Sequence, residues 1–203
     1  MFARVNIIFG KPDKVENGIA QLEEFDRLAV ESTVGNRGLT TLVDRDAGVI
    51  VALSYWDEPA HSSEAALTRA RESAVAAADG NLVVETYEVA TRKSASALEP
   101  GSVVRLTRVQ IESARIAEGL TFVRDEVLPP LQAGTGFRGA EVLIDRDSGT
   151  GLFLTGWTAE SDAVNTDKII GDLREVAATR VGATFPRTET YAVVRSSTRT
   201  TIT

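Results

Sequence analysis

The chain carries its own pattern twice. Displaced by 101 positions, Arg37-Gly38-Leu39-Thr40-Thr41-Leu42-Val43-Asp44-Arg45-Asp46-Ala47-Gly48 falls on Arg138-Gly139-Ala140-Glu141-Val142-Leu143-Ile144-Asp145-Arg146-Asp147-Ser148-Gly149. The same displacement, without a gap, sets Arg4 on Arg105, Gly18 on Gly119, Gly35 on Gly136, Leu53 on Leu154 and Trp56 on Trp157, giving 12 identities between positions 4 and 56. A repeat of this length implies two equivalent halves, each about the size at which one core is adequate but not generous. The expected boundaries are a first half over 1–92, a linker over 93–101, a second half over 102–195 and a flexible tail over 196–203.

Each half reads as strand, helix, strand, strand, helix, strand. In the first, 3–9 is apolar and β-branched, and Lys11-Pro12-Asp13 opens a helix marked by Val15, Ile19, Leu22, Phe25 and Ala29 at helical spacing. Leu39–Arg45 and Val49–Trp56 are strands joined by Asp46-Ala47-Gly48, a hairpin connection with Gly where a positive φ is needed. An Ala-rich helix to Ala78 is stopped by Asp79-Gly80-Asn81, and a last strand covers 82–90. The second half repeats the order, with Pro129-Pro130 expected to bend or end its first helix. A βαββαβ half is a ferredoxin-like motif whose sheet has helices on one face only. The other face needs a partner, and here the chain supplies one. The expected fold is α+β, with two ferredoxin-like repeats closing an intramolecular α+β barrel.

Composition removes several functional classes. No basic cluster interrupts a net charge of −7, which argues against a nucleic-acid backbone as partner. No apolar run approaches the length that spans a bilayer, and no basic leader precedes the first strand, so a cytoplasmic protein is expected. The chain has no cysteine, which excludes disulfides, thiolate nucleophiles and cysteine-ligated metal clusters.

The phrase Gly136 to Gly149, followed by Leu152–Trp157 and an acidic helix start, and its counterpart from Gly35 to Trp56, resembles the dimeric α+β-barrel superfamily. Within it the chain is similar to the antibiotic-biosynthesis-monooxygenase-like domains, and the resemblance covers both halves. It implies the barrel fold, a small-molecule ligand and no bound cofactor. The implied activity is direct oxidation of a planar, electron-rich phenol or quinol by O₂. Because the two halves supply the pairing that single-repeat relatives obtain by dimerising, the chain is expected as a monomer or a homodimer. Haem-degrading relatives rely on a histidine in the second helix. The expected second helices, 63–78 and 163–180, contain no histidine and no aromatic residue, which counts against haem. The single histidine, His61, precedes the first of them.

The candidate site residues follow from strand alternation. Ala3, Val5, Ile7 and Phe9 form one face of the first strand and are expected to pack on helices. Arg4 and Asn6 would then point into the barrel, with Arg105 and Thr107 at the matching positions. Glu85 and Glu189, on the last strands, are placed to pair with Arg4 and Arg105. In a catalytic reading Arg4 and Arg105 bind an anion, Asn6 orients it, Tyr87 or Tyr191 exchanges a proton, and Trp56 or Trp157 forms a stacking wall. In the plainer reading the charges are cross-strand ion pairs, the tryptophans are core anchors, and the protein is a non-catalytic binding or assembly module. Asp44, Asp46, Asp145 and Asp147 flank the hairpins, where Asx-turn chemistry explains them, and no metal site is expected.

Overall fold

The computed structural model describes residues 1–59 and 65–198, and His61 lies outside them. Eight strands are hydrogen-bonded in the order β1-β3-β2-β8-β5-β7-β6-β4, an antiparallel barrel. The chain divides into two compact units, the first comprising Met1–Thr86 with Ala192–Thr203 and the second Tyr87–Tyr191.

The first unit runs β1 (Phe2–Phe9), α1 (Val15–Ala20), a π-helical turn (Gln21–Asp26), α2 (Arg27–Ser32), β2 (Asn36–Asp44), β3 (Val49–Trp56), α3 (Ala65–Ala78) and the start of β4 (Asn81–Ser94). β3 is the central strand, antiparallel to β1 from Phe2↔Trp56 to Phe9↔Val49 and to β2 from Gly38↔Tyr55 to Asp44↔Val49. All eight β3 residues are buried. The helices cover the sheet through Val15, Ile19, Leu22 and Val30, and through Leu67, Ala70, Ala74 and Ala78 of α3. Val15, Ile19 and Leu22, and Leu67, Ala70, Ala74 and Ala78, recur at three- and four-residue steps, and Val30 follows two such steps after Leu22, which is why the segments are helical and which face they bury. Their partners on the sheet are Ile8, Leu39, Val43, Ile50, Ala52 and Trp56. The end of β8 completes this unit, with Leu42↔Val193 and Val43↔Ala192 in register.

The second unit runs from the remainder of β4 through β5 (Val103–Gln110), α4 (Ile116–Phe122), a π-helical turn (Val123–Val127), α5 (Leu128–Gln132), β6 (Phe137–Ile144), β7 (Thr150–Trp157), α6 (Glu160–Val164) and α7 (Asp167–Val181) to the start of β8 (Thr184–Ser196). Here β7 is central, paired with β5 and β6, and β4 pairs with β6 from Glu88↔Ile144 to Ser94↔Gly139. α7 ends on Gly182, whose φ of 66° is a left-handed cap that a side chain disfavours.

Three expectations change. Pro129-Pro130 do not end the helix where they stand, since α5 runs on to Gln132 directly after the π-helical turn. The linker is shorter than expected. Lys93 and Ser94 belong to β4, and the amides of Ala95 and Ser96 donate to the Arg138 carbonyl. The chain from Ser196 to Thr198 is no loose tail. Ser197 donates its amide to the Leu39 carbonyl, and the hydroxyls of Ser196 and Thr198 both bond that of Thr40, at 2.7 and 2.8 Å.

Candidate functional site

The alternation of β1 was assigned to the wrong faces. Ile8 packs against the helices, and Asn6 lines the same helix–sheet space as Leu22, Leu67, Ala70 and Ala74. Arg4 follows on that face, close enough to Arg71 of α3 for the two charges to repel. The even-numbered residues therefore look at the helices. Ala3, Val5 and Ile7, on the other face, are also buried. Since both faces of the strand are buried, hydrophobicity alone did not distinguish them.

Each unit holds a cavity between its helices and its sheet. In the second unit it measures about 90 Å³ and is walled by apolar side chains, among them Phe122 from α4, Phe153 from β7 and Phe185 from β8. Thr107 and Arg174 are the only lining side chains that can hydrogen-bond. Arg174 Nη2 donates to the hydroxyls of Thr107 (3.1 Å) and Thr188 (2.8 Å), and its guanidinium lies over the Phe185 ring at 5.6 Å. Burial lowers the Arg174 pKa, nearby Arg105 lowers it further, and Asp167 partly opposes both.

The first unit's cavity is about 40 Å³ and more polar, with Asn6, Ser54 and Arg71 in its wall. Asn6 is 7% exposed, its Nδ2 donates to the Ala52 carbonyl at 3.3 Å, and its Oδ1 has no hydrogen-bond partner. Burial lowers the Arg71 pKa, and Arg4 lowers it further.

The remaining candidates separate. Arg105 does not pair with Glu189. It binds Asp167 and the Ala163 carbonyl on the helical side, while Glu189 faces Arg108 at 3.8 Å and Arg187 at 3.0 Å. Arg105 and Glu189 are therefore held by different sets of neighbours. Glu85 lies half-buried on β4. Neither Tyr87 nor Tyr191 lines either cavity, although both are buried. Burial and the neighbouring Glu189 carboxylate push the Tyr191 hydroxyl far above its usual pKa, which unsuits it to proton exchange near neutrality. Trp56 and Trp157 are each 1% exposed, and their indole N–H groups donate to Ser54 and Thr155 two residues earlier, at 2.9 and 3.0 Å. Trp56 borders the smaller cavity, whereas Trp157 packs edge-on against Phe137 and borders neither. The hairpin aspartates act as turn caps, with Asp44 accepting from the Ala47 amide and Asp145 from those of Asp147 and Ser148.

Sequence reasoning missed Arg71 and Arg174. A signal was present at a different offset, because Leu67, Ala70, Arg71, Ala74 and Ala78 stand 103 residues before Ile170, Leu173, Arg174, Ala177 and Val181.

In comparisons with known structures, a suspected monooxygenase from Fusobacterium nucleatum superposes with a TM-score of 0.72 at 13% identity, over 96% of this chain and 93% of that one. The fold is that of the monooxygenase-like α+β barrels. An anthrone oxidase-like protein matches with a TM-score of 0.64 at 17% identity, over 96% of this chain and 92% of the other. In sequence, the chain is 29% identical over 151 residues to the uncharacterized protein Rv2557 of Mycobacterium tuberculosis, covering 73% of this chain and 67% of that protein. No family model matches the chain. No described helix is long and apolar enough to cross a membrane.

Proposed function

We propose that the protein binds a small, largely apolar molecule in the helix–sheet cavity of its second unit. The observation that carries this reading is the cavity itself, about 90 Å³ of space with an almost wholly apolar wall and polar groups at Thr107 and Arg174 only. Most ligand sites share this character, an apolar container with a few placed polar groups that fix orientation. An unfilled apolar void of this size costs on the order of 2 kcal/mol, which a fitting ligand would recover.

The activity to test at this site is direct oxidation of a planar phenol or quinol. The shared fold with a suspected monooxygenase and an anthrone oxidase-like protein motivates it. An electron-rich aromatic that has lost a proton can react with O₂ without a bound cofactor. Arg174 would hold the developing oxyanion, and Thr107, already bonded to Arg174, would keep the guanidinium in place. No carboxylate, histidine or tyrosine is among the lining residues, so the wall supplies no general base. That absence weights the reading toward binding, with oxidation confined to substrates acidic enough to ionise beside Arg174. In the first unit, Asn6 and Arg71 are proposed to orient only a group small enough for the lesser cavity, whose wall Arg4 does not join.

A thermal-shift series with single-ring and two-ring phenols, quinols and neutral aromatics, followed by oxygen uptake on whichever bind, tests both levels. Stabilisation by small aromatics is expected. A flat response to every compound would overturn the binding reading. Stabilisation without oxygen uptake would leave binding and remove the oxidase activity.

A further inference from the structure

We infer that the ligand of the second unit's cavity is an amphiphilic monoanion, an apolar body carrying one carboxylate that sits on Arg174. The inference rests on the cavity reading above and names the charged group that Arg174 would hold in place of a phenolate.

Arg174 is the exception among its neighbours. Each of the other nine arginines of the second unit lies against a carboxylate at 3.8 Å or closer. Among the described residues, Arg174 has no carboxylate at ion-pair distance. Its bonds go to two neutral hydroxyls, Thr107 and Thr188, through Nη2 alone, while Nε and Nη1 bond no described residue. The guanidinium is nonetheless held in place, between those hydroxyls and the face of Phe185. Burial and the neighbouring Arg105 act against its charge, and Asp167, which is bound to Arg105, offsets them only in part. A fixed, half-buried cation with unused donors in the wall of an apolar cavity fits a ligand anion, because charge-assisted hydrogen bonds are the strong ones. A carboxylate suits it better than a neutral phenol. Near pH 7 a carboxylic acid is ionised and a simple phenol is not, so only the former brings a full charge. Apart from Thr107, the remaining lining side chains offer the tail nothing but apolar contact.

The test compares 3-phenylpropanoate with its methyl ester at pH 7, by calorimetric titration of the full chain and of Arg174→Gln and Arg174→Lys variants. The two probes share an apolar body and differ in charge. The wild-type chain is expected to bind the acid roughly ten-fold more tightly than the ester. Arg174→Gln is expected to erase that preference by weakening the acid far more than the ester, and Arg174→Lys to keep part of it. The comparison on the wild-type chain needs no variant to fold. Equal binding of acid and ester there, or a preference that survives Arg174→Gln, would overturn the anionic head group while leaving the cavity reading standing. No binding of either probe would overturn both.

Discussion

The two units share a framework of strands and helices, yet the helix–sheet cavity is about 40 Å³ in the first and about 90 Å³ in the second. In the first, Ile50 sits fully buried near the hairpin end of the central strand β3. A Cβ on Gly18 of α1 would lie 2.8 Å from Ile50 Cδ1 and 2.9 Å from the Ala78 side chain, so helix, helix and sheet meet with no room to spare. In the second unit the position 101 residues after Ile50 is Gly151, and it lies in the cavity wall. The positions answering to Gly10 and Ala78 are Ile111 and Val181. The small residue has moved to the sheet and the large ones to the helix seam. A Cβ on Gly119 of α4 would lie 2.8 Å from Ile111 Cδ1, so α4 is as close to Ile111 as α1 is to Ile50, while Ile111 and Val181 both line the cavity of about 90 Å³. Two units with similar frameworks thus differ in where their packing volume stands, and the larger cavity lies in the second.

A second contrast concerns charge. Arg27, at the start of α2, is 2% exposed. It bonds both Glu23 oxygens at 2.7 and 2.9 Å, Glu31 at 2.6 Å, Thr41 at 3.0 Å and the Leu39 carbonyl at 3.1 Å, and it reaches Ser197 at 3.4 Å. The corresponding triplet in the second unit is Arg124, Leu128 and Gln132. The first unit thus carries a buried ionic clasp on the end of the chain where the second has a leucine.

The largest expected effect is at the closely packed Ile50. Ile50→Ala should destabilise the protein by about 4 kcal/mol, because transfer free energy is lost and a cavity is created, whereas Val109→Ala at the existing void should cost about 1 kcal/mol. Chemical denaturation of both measures the difference, and similar losses would mean that the units are equally well packed. Next is Arg27→Leu, which gives the first unit the second unit's residue and strands Glu23 and Glu31, at about 3 kcal/mol. Combining it with Glu23→Gln and Glu31→Gln should recover most of that loss. If the triple variant is no more stable than the single one, the clasp does not act as a unit.

The same clasp predicts a pH dependence. Burial by itself would raise the Glu31 pKa, but the Ser197 hydroxyl and Arg27 override it and hold the carboxyl below its ordinary 4.5. A carboxyl whose pKa is depressed by folding stabilises the protein fully above its unfolded pKa and ceases to as pH falls through the folded one. Between about pH 5 and pH 3, wild-type stability should therefore fall more steeply than that of Arg27→Leu. Parallel curves would assign the acid sensitivity to other carboxylates. The smallest effect is expected for Asn6→Thr, which installs the residue found at 107. It gives up one hydrogen bond and removes an acceptor that has no partner, so stability should change by less than about 1 kcal/mol.

Much of this was legible beforehand. The hairpin strands, the turn role of Asp44 and Asp145 and the alternating order of strands and helices all follow from short-range pattern. The facing of β1 did not. Ala3, Val5 and Ile7 satisfy one buried surface and Ile8 another, so alternation identified the strand but left its orientation open. Arg105 was paired with the wrong carboxylate for the same reason. Asp167, its partner, lies 62 residues away at the start of α7, where no strand register points. Arg71 and Arg174 were hidden because the offset relating their helices is 103, so they fall out of step with the repeat that governs the hairpins.

The central claim is that the second unit, and not the first, offers the ligand cavity. Methyl-selective NMR during titration with toluene tests it most directly, because isoleucine methyls mark both units. The account predicts shifts at Ile111, Ile116, Ile144 and Ile170, which line the larger cavity, with Ile19 and Ile50 undisturbed. Shifts confined to the first unit, spread evenly over both, or absent altogether would contradict it.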